Sequence, residues 1–402
     1  MIFNLPPICG LFPLLLYIVL SFRKGMHPLV NVSICAVVGA ILVKQPLGGL
    51  GAVIYESMGS FLALVGFIIM LGSGLGMVLR KTGVAAAIVN ILMRKIGVKT
   101  QKRAILATMV SSICLVTLLG TLAGANAVIA PIVIPLVAAV GITPSTLAVI
   151  FQGAGLPVSI VMWIGTYFIA NKVQKETEGK EDFGPDVEMP SDNFEVDAIT
   201  KRATAVFVAT MAVMVVYGII TKGGASFVIL VMIVAAILTG LAAKMPAGEI
   251  FDNIVEGCGK LMWLFFMFLM FNPFLNFVTA SGAFDAMLKL MEPLIGSSGK
   301  VGFTLLTVLV GIFGINGAAV AQALMIDSLF NGFLPGIGIS MELWGMIVLI
   351  GHQITSYAYP GVDMIGAMGL AHAKNIKPML KLSYFAIIPG TVILSCIAAL
   401  IL

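Results

Sequence analysis

Apolar runs of helix length follow one another along most of this chain, and short basic clusters separate them. Leu5–Phe22, Pro28–Val43, Ser60–Leu79, Ala203–Thr221, Ala225–Ala243, Met262–Thr279 and Ser383–Leu402 are the unbroken ones. A helix needs about 17–25 such residues to cross the hydrocarbon core. A membrane β-barrel would instead show short alternating segments. Only 10% of the 402 residues are charged and 60% are hydrophobic, where a soluble domain carries roughly 25% charge. The chain therefore reads as an all-α polytopic membrane protein. The segment Pro6–Phe22 lacks a basic leader and is taken as the first span rather than a signal peptide.

The charges are unevenly placed. Nine of the 18 acids fall between Asn171 and Arg202, while Arg80 to Arg103 holds seven basic residues and no acid. That basic arm assigns its face to the cytoplasm and the protein to the cell's inner membrane as a multi-pass protein. Basic residues scattered among spans give no nucleic-acid footprint. The acidic stretch 172–202 reads as a solvated linker between two halves, 1–171 and 203–402. The five cysteines are isolated, so neither a metal site nor a disulfide framework is expected.

Two stretches share a layout. Gly120–Gly165 and Gly311–Gly366 each begin at a Gly/Ala/Asn-rich break and continue through an apolar run. A Gly-Ile-Thr or Gly-Ile-Ser punctuation follows, at 141–143 and 338–340, and then a second apolar run interrupted in its middle. Each half thus carries a re-entrant hairpin, 104–141 and 301–338, and a broken transmembrane helix, 144–171 and 341–372. Upstream, Thr82-Gly83 before VAAAIVNILMRKIG matches Ser281-Gly282 before AFDAMLKLMEPLIG. VAAAIVNILMRKIG is too short to span and reads as an arm lying at the membrane surface. Glu249–Gly257 reads as a separate amphipathic piece. The halves are expected to be inverted repeats. Hydropathy, giving nine crossings, sets both hairpins on one side, whereas the loop charges set them on opposite sides.

Unwound backbone at membrane depth is costly unless it lines a cavity or is buried in protein, and broken spans in corresponding places point to a transporter's binding site. Polar residues collect at these breaks: Thr121 and Asn126; Gln152, Ser159 and Thr166 around Gly155 and Pro157; Asn316; then His352, Thr355, Ser356 and Asp363. Such residues also bridge membrane helices without touching a ligand. Asp327 and Asp363 stand apart, because a carboxylate at that depth costs several kcal/mol. With His352, whose ordinary pKa lies near neutrality, they are the proton- or cation-coupling candidates. Trp163 and Trp344 read as packing or interfacial anchors. No Walker loop, HExxH or GxSxG occurs, and no nucleophile–base pair suggests an enzyme.

The stretch GANAVIAPIVIPLVAAVGITPSTLAVIFQGAGLPVSIVMWIG resembles the ion transporter superfamily of secondary carriers. That group includes divalent-anion/sodium symporters, gluconate and citrate carriers, and the large membrane subunit of TRAP transporters. The resemblance implies a homodimer with an elevator-type moving domain and no cofactor beyond a coupling Na+ or H+. It also implies hairpin-tip ligands Thr121, Gly124, Asn126, Asn316 and Gly317, and broken-span ligands Gly155, Pro157, Ser159, Thr355 and Ser356. The expected activity is Na+- or H+-coupled symport of a small carboxylate. Neither break carries an arginine to clamp a carboxylate, which leaves a Na+/H+ antiporter as one alternative. A subunit fed by a soluble binding protein is the other.

Overall fold

The computed structural model describes residues 4–21, 27–119, 122–155, 160–184, 196–312, 323–324, 326–327, 330–351, 354–358 and 362–402. Among these residues no strand occurs. The helices are α1 (Phe12–Ser21), α2 (Pro28–Leu42), α3 (Leu50–Met58), α4 (Phe61–Lys81), α5 (Val84–Ile96) and α6 (Gln101–Leu119). They continue as α7 (Leu122–Ala138), α8 (Pro144–Gly153), α9 (Ile160–Thr177), α10 (Ala198–Thr221), α11 (Gly224–Ala242), α12 (Ala247–Ala280) and α13 (Ala283–Ile312). The last four long pieces are α14 (Met341–Gly351), α15 (Val362–Leu370), α16 (Lys377–Leu382) and α17 (Ile388–Ile401).

Six stretches are long and apolar enough to cross a membrane: Phe61–Lys81, Gln101–Leu118, Ala198–Thr221, Gly224–Ala242, Ala247–Ala280 and Lys377–Ile401. The protein is a polytopic helical membrane protein, as its composition demands.

Local chemistry sets where these helices start. Thr143 accepts from the Thr146 amide with Pro144 at the first helical position, and this pair opens α8. Asp197 caps α10 through the Thr200 amide at 2.8 Å. Residues of positive φ end helices or, at Gly299, interrupt α13, and ten of the fourteen among the described residues follow the same order in the two halves of the sequence. Lys44 and Lys244 (φ 60° each), Gly83 and Gly282 (73° and 72°), Gly97 and Gly299 (80° and 63°), Gly141 and Gly338 (75° and 71°), and Gly179 and His372 (70° and 57°) form five pairs. Their members stand 193 to 202 residues apart by subtraction of these numbers.

Three expectations are corrected. The separate piece at Glu249–Gly257 is the start of one 34-residue helix, α12. At 1.5 Å per residue α12 is about 50 Å long, so its charged first turns extend past a ~30 Å core. The first span begins with a 3-10 turn, Pro7–Leu11, before α1. The short arm α5 buries Val84, Ala85, Ala87, Ile88, Val89 and Met93 and packs on α6, α7 and α10. It is an internal helix of its unit rather than a surface arm, because its small residues let neighbouring backbones approach.

The chain divides into two compact units, each drawing on both sides of the 172–202 stretch. The first comprises Met1–Gly66, Trp263–Val362 and Ile387–Leu402. Tyr17 packs against Phe271 and Phe274 at ring separations of 5.4 and 6.1 Å. Nearby, Asn31 donates to the Tyr17 carbonyl at 3.1 Å, and Asn272 donates to Ser57 Oγ, also at 3.1 Å. The second unit comprises Phe67–Met262 and Asp363–Ala386. Here α4 and α12 cross so closely that a Cβ on Gly257 would lie 2.5 Å from the Ser73 carbonyl oxygen. Only glycine fits there.

The first part of the acidic stretch is structured. Within the second unit Gln101 donates to Glu178, the Ser145 amide donates to Glu181 at 3.2 Å, and Lys381 pairs with Glu176. These acids bind α6, α8 and α16, so residues 172–184 are held on their unit rather than freely solvated. Residues 185–195 lie outside the described residues.

Candidate functional site

In the second unit, α6 and α7 pack as a hairpin, and both α8 and α9 pack beside α6. The helix α8 stops at Gly153, and α9 begins at Ile160. A helix end leaves its last carbonyls without intrahelical donors. At this one the Ala154 amide bonds to Ile150 and the Gly155 amide to Gln152. The Phe151 carbonyl is met from outside instead: Asn126 Nδ2 of α7 donates to it at 3.0 Å. Asn126 Oδ1 in turn accepts from Ser112 Oγ of α6 at 2.7 Å. Asn126 and Ser112 are both buried. One amide therefore ties both limbs of the hairpin to the unwinding end of α8.

Small residues make that junction possible. A Cβ on Gly153 would lie 2.2 Å from Thr166 Cγ2 and 2.5 Å from Thr166 Oγ1. A Cβ on Gly155 would lie 2.7 Å from Leu122 at the start of α7. Thr166 spends its own hydroxyl on the Met162 carbonyl at 2.9 Å, so it presents a packed wall to the break. The turn at the other end of α8 is strapped to α9. Gln174 donates to the Gly141 carbonyl at 2.7 Å and accepts from the Thr143 amide at 3.0 Å, and the hydroxyls of Thr143 and Thr177 lie 2.7 Å apart. Between strap and junction, the hydroxyls of Thr108, Ser111 and Ser145 are buried and make no hydrogen bond among the described residues.

In the 341–372 stretch the described residues form α14, then the short helix Thr355–Ala358, then α15. Thr355 is buried and Ser356 half-buried. Asp363 is half-buried in the first turn of α15, where the helix dipole favours an anion. Asp327 has a specific partner: Trp344 Nε1 donates to its Oδ1 at 2.7 Å. The Trp344 ring also packs on Phe303 at 6.2 Å. The anchor reading of Trp344 thus omits its main polar role.

Of the residues expected to bind, Asn126 is joined to the α8 break and Gly155 sits at it. Gly124 lies in α7, Thr355 and Ser356 lie in the short helix Thr355–Ala358, and Asp363 opens α15. Thr121, Pro157, Ser159, Asn316, Gly317 and His352 lie outside the described residues. Ser112, Gln174, Thr177 and the Phe151 carbonyl escaped sequence reasoning. The adjacent hydroxyls Ser111-Ser112 inside an apolar run were the available signal.

Comparison with known proteins now bears on this arrangement. Residues 18–162 match the Na+/H+ antiporter family. No curated protein matches. Among solved structures, the Alcanivorax borkumensis YdaH transporter, described as having an unusual topology, is similar with a TM-score of 0.56. The two share 14% identity over 92% of this chain and 98% of that one, so the likeness is one of fold. The family reading taken from the hairpin motifs is corrected by these findings. The family model matched, over residues 18–162, is that of the Na+/H+ antiporters and not of the divalent-anion symporter, gluconate, citrate or TRAP group. Small-residue hairpins and broken spans are what membrane physics requires of many carriers, and so they do not separate families. Fold and match together indicate a transporter, not an enzyme.

Proposed function

We propose that this transporter exchanges Na+ for H+. The observation carrying the reading is that the antiporter-family match, residues 18–162, contains the Asn126–Phe151 junction. Asp363 belongs to the same compact unit. Hard cations take oxygen ligands, and carbonyls at an interrupted helix end are suited to Na+. At the α8 end, Asn126 keeps the Phe151 carbonyl from being left bare while glycines hold the backbone open. Asp363 supplies the exchangeable charge. Deprotonated, it binds Na+; protonated, it releases the ion and is itself neutral. In both states the net charge to be moved across hydrocarbon is reduced, which is the costly step. Asp327, held by the Trp344 indole, has a positioning role.

Alternating access would move the α6–α7 pair together with the end of α8, to which Asn126 ties it. The Arg80–Arg103 face is cytoplasmic, and the protein resides in the inner membrane. A second reading is Na+- or H+-coupled symport of a small carboxylate. It is favoured by the hydroxyls of Thr355 and Ser356 on the turn ahead of α15, neutral donors suited to an anion.

One assay separates the readings. Purified protein in liposomes loaded with a pH-sensitive dye is exposed to Na+, with and without a carboxylate mixture. Exchange predicts proton movement on Na+ alone, lost in Asp363→Asn. A signal that appears only with carboxylates overturns exchange in favour of symport.

A further inference from the structure

Lys102 of α6 and Lys172 and Lys175 of α9 surround a cavity of about 320 Å3, together with Tyr167, Phe168 and Asn171. All three lysines are exposed, and among the described residues none of them is in an ion pair. Phe168 is 65% exposed, and its ring meets that of Tyr167 edge-on at 5.9 Å. Asn171 is committed to the Tyr167 carbonyl at 2.7 Å. The cavity is therefore lined by three lysines and two aromatic rings.

We propose that this cavity holds an anionic phospholipid, its phosphate between the three lysines and an acyl chain along Phe168. Charge complementarity selects an anion, since three cations converge with no acid among the lining residues. The aromatic pair selects a lipid over a free anion. Exposed aromatic rings beside lysines are the signature of the headgroup level, and basic pockets between helices on the cytoplasmic side bind acidic headgroups. Lys102 belongs to the basic Arg80–Arg103 stretch, proposed above to be cytoplasmic, and the cavity sets Lys172 and Lys175 beside it. The site also reaches the transport machinery, because α9 carries Thr166 against the Gly153 break and Gln174 and Thr177 at the strap. A lipid bound there sets the position of α9, whichever ion the protein carries.

The test uses full-length protein extracted from vesicles of phosphatidylcholine mixed with phosphatidylglycerol, with retained lipid counted by native mass spectrometry. Phosphatidylglycerol should be enriched on the wild-type protein. Enrichment should fall about fivefold for each lysine changed to glutamine and persist when all three become arginine. Inorganic phosphate should fail to displace it. Equal retention by Lys102→Gln/Lys172→Gln/Lys175→Gln overturns the proposal, and so does displacement by phosphate, which would make this a free-anion site. Circular dichroism on the same samples excludes unfolding as the cause of any loss.

Discussion

Asn126 Nδ2 donates to the Phe151 carbonyl at 3.0 Å, across the point where α8 unwinds. This contact lets a helix end inside a membrane protein without stranding its carbonyl. It also fixes the hairpin to the broken span, since Ser112 holds the same amide from α6. In the proposed exchange, an ion at the break would act on the hairpin through this amide.

Replacing Asn126 by leucine removes both bonds and leaves the Phe151 carbonyl and the Ser112 hydroxyl buried. Each stranded group costs about 1–3 kcal/mol. The variant should melt at lower temperature than wild type, and it should lose the stabilisation that Na+ gives by binding the folded state. Melting curves with Na+ and with choline as the replacement cation check this. An undiminished Na+ effect would separate Asn126 from the ion.

The close approach at Gly153 makes a reciprocal prediction. Gly153→Ala overpacks Thr166 and should cost about 1–3 kcal/mol. Thr166→Ala removes the two nearest atoms, so the double variant should recover part of that loss. Additive destabilisation would contradict the contact.

Trp344→Phe keeps the ring on Phe303 but deletes the donor to Asp327. Hydrogen bonds to charged groups are worth about 1.5–3 kcal/mol, and the loss should appear in thermal stability. In an Asp327→Leu background the same change should cost much less. Equal costs in the two backgrounds would mean the indole serves packing alone.

Asp197 lies outside the membrane spans, and its bonds from Thr200 hold its carboxyl below the ordinary carboxylate range. A pKa lowered by folding stabilises the protein above the unfolded value, and this contribution is lost as pH falls through the folded one. Asp197→Ala should therefore be less stable than wild type at neutral pH, with the gap closing in acid below about pH 4. Paired melts at several pH values test it, and a gap that widens in acid would contradict the cap.

Helix breaks were legible because their cause is local. Gly153-Ala154-Gly155-Leu156-Pro157 cannot continue a helix at low cost, and Gly141 and Gly338 each require a positive φ. Asn126 was legible as an amide in an apolar run. Its partner was not, because a backbone carbonyl leaves no trace in residue type. The unbroken course of α12 was hidden by Gly257, which looks like a helix end but is there to let Ser73 and Gly74 approach. Trp344 misled for a different reason: a tryptophan in an apolar run suits packing, and its donor role depends on Asp327, 17 residues away.

The most direct test of the account is calorimetry of Na+ binding to the detergent-solubilised full chain in buffers of different ionisation enthalpy. If one carboxylate serves both ions, Na+ binding must expel a proton. The measured heat should then vary with the buffer in wild type, and that variation should vanish in Asp363→Asn. Na+ binding whose heat is the same in every buffer would contradict exchange at a shared site.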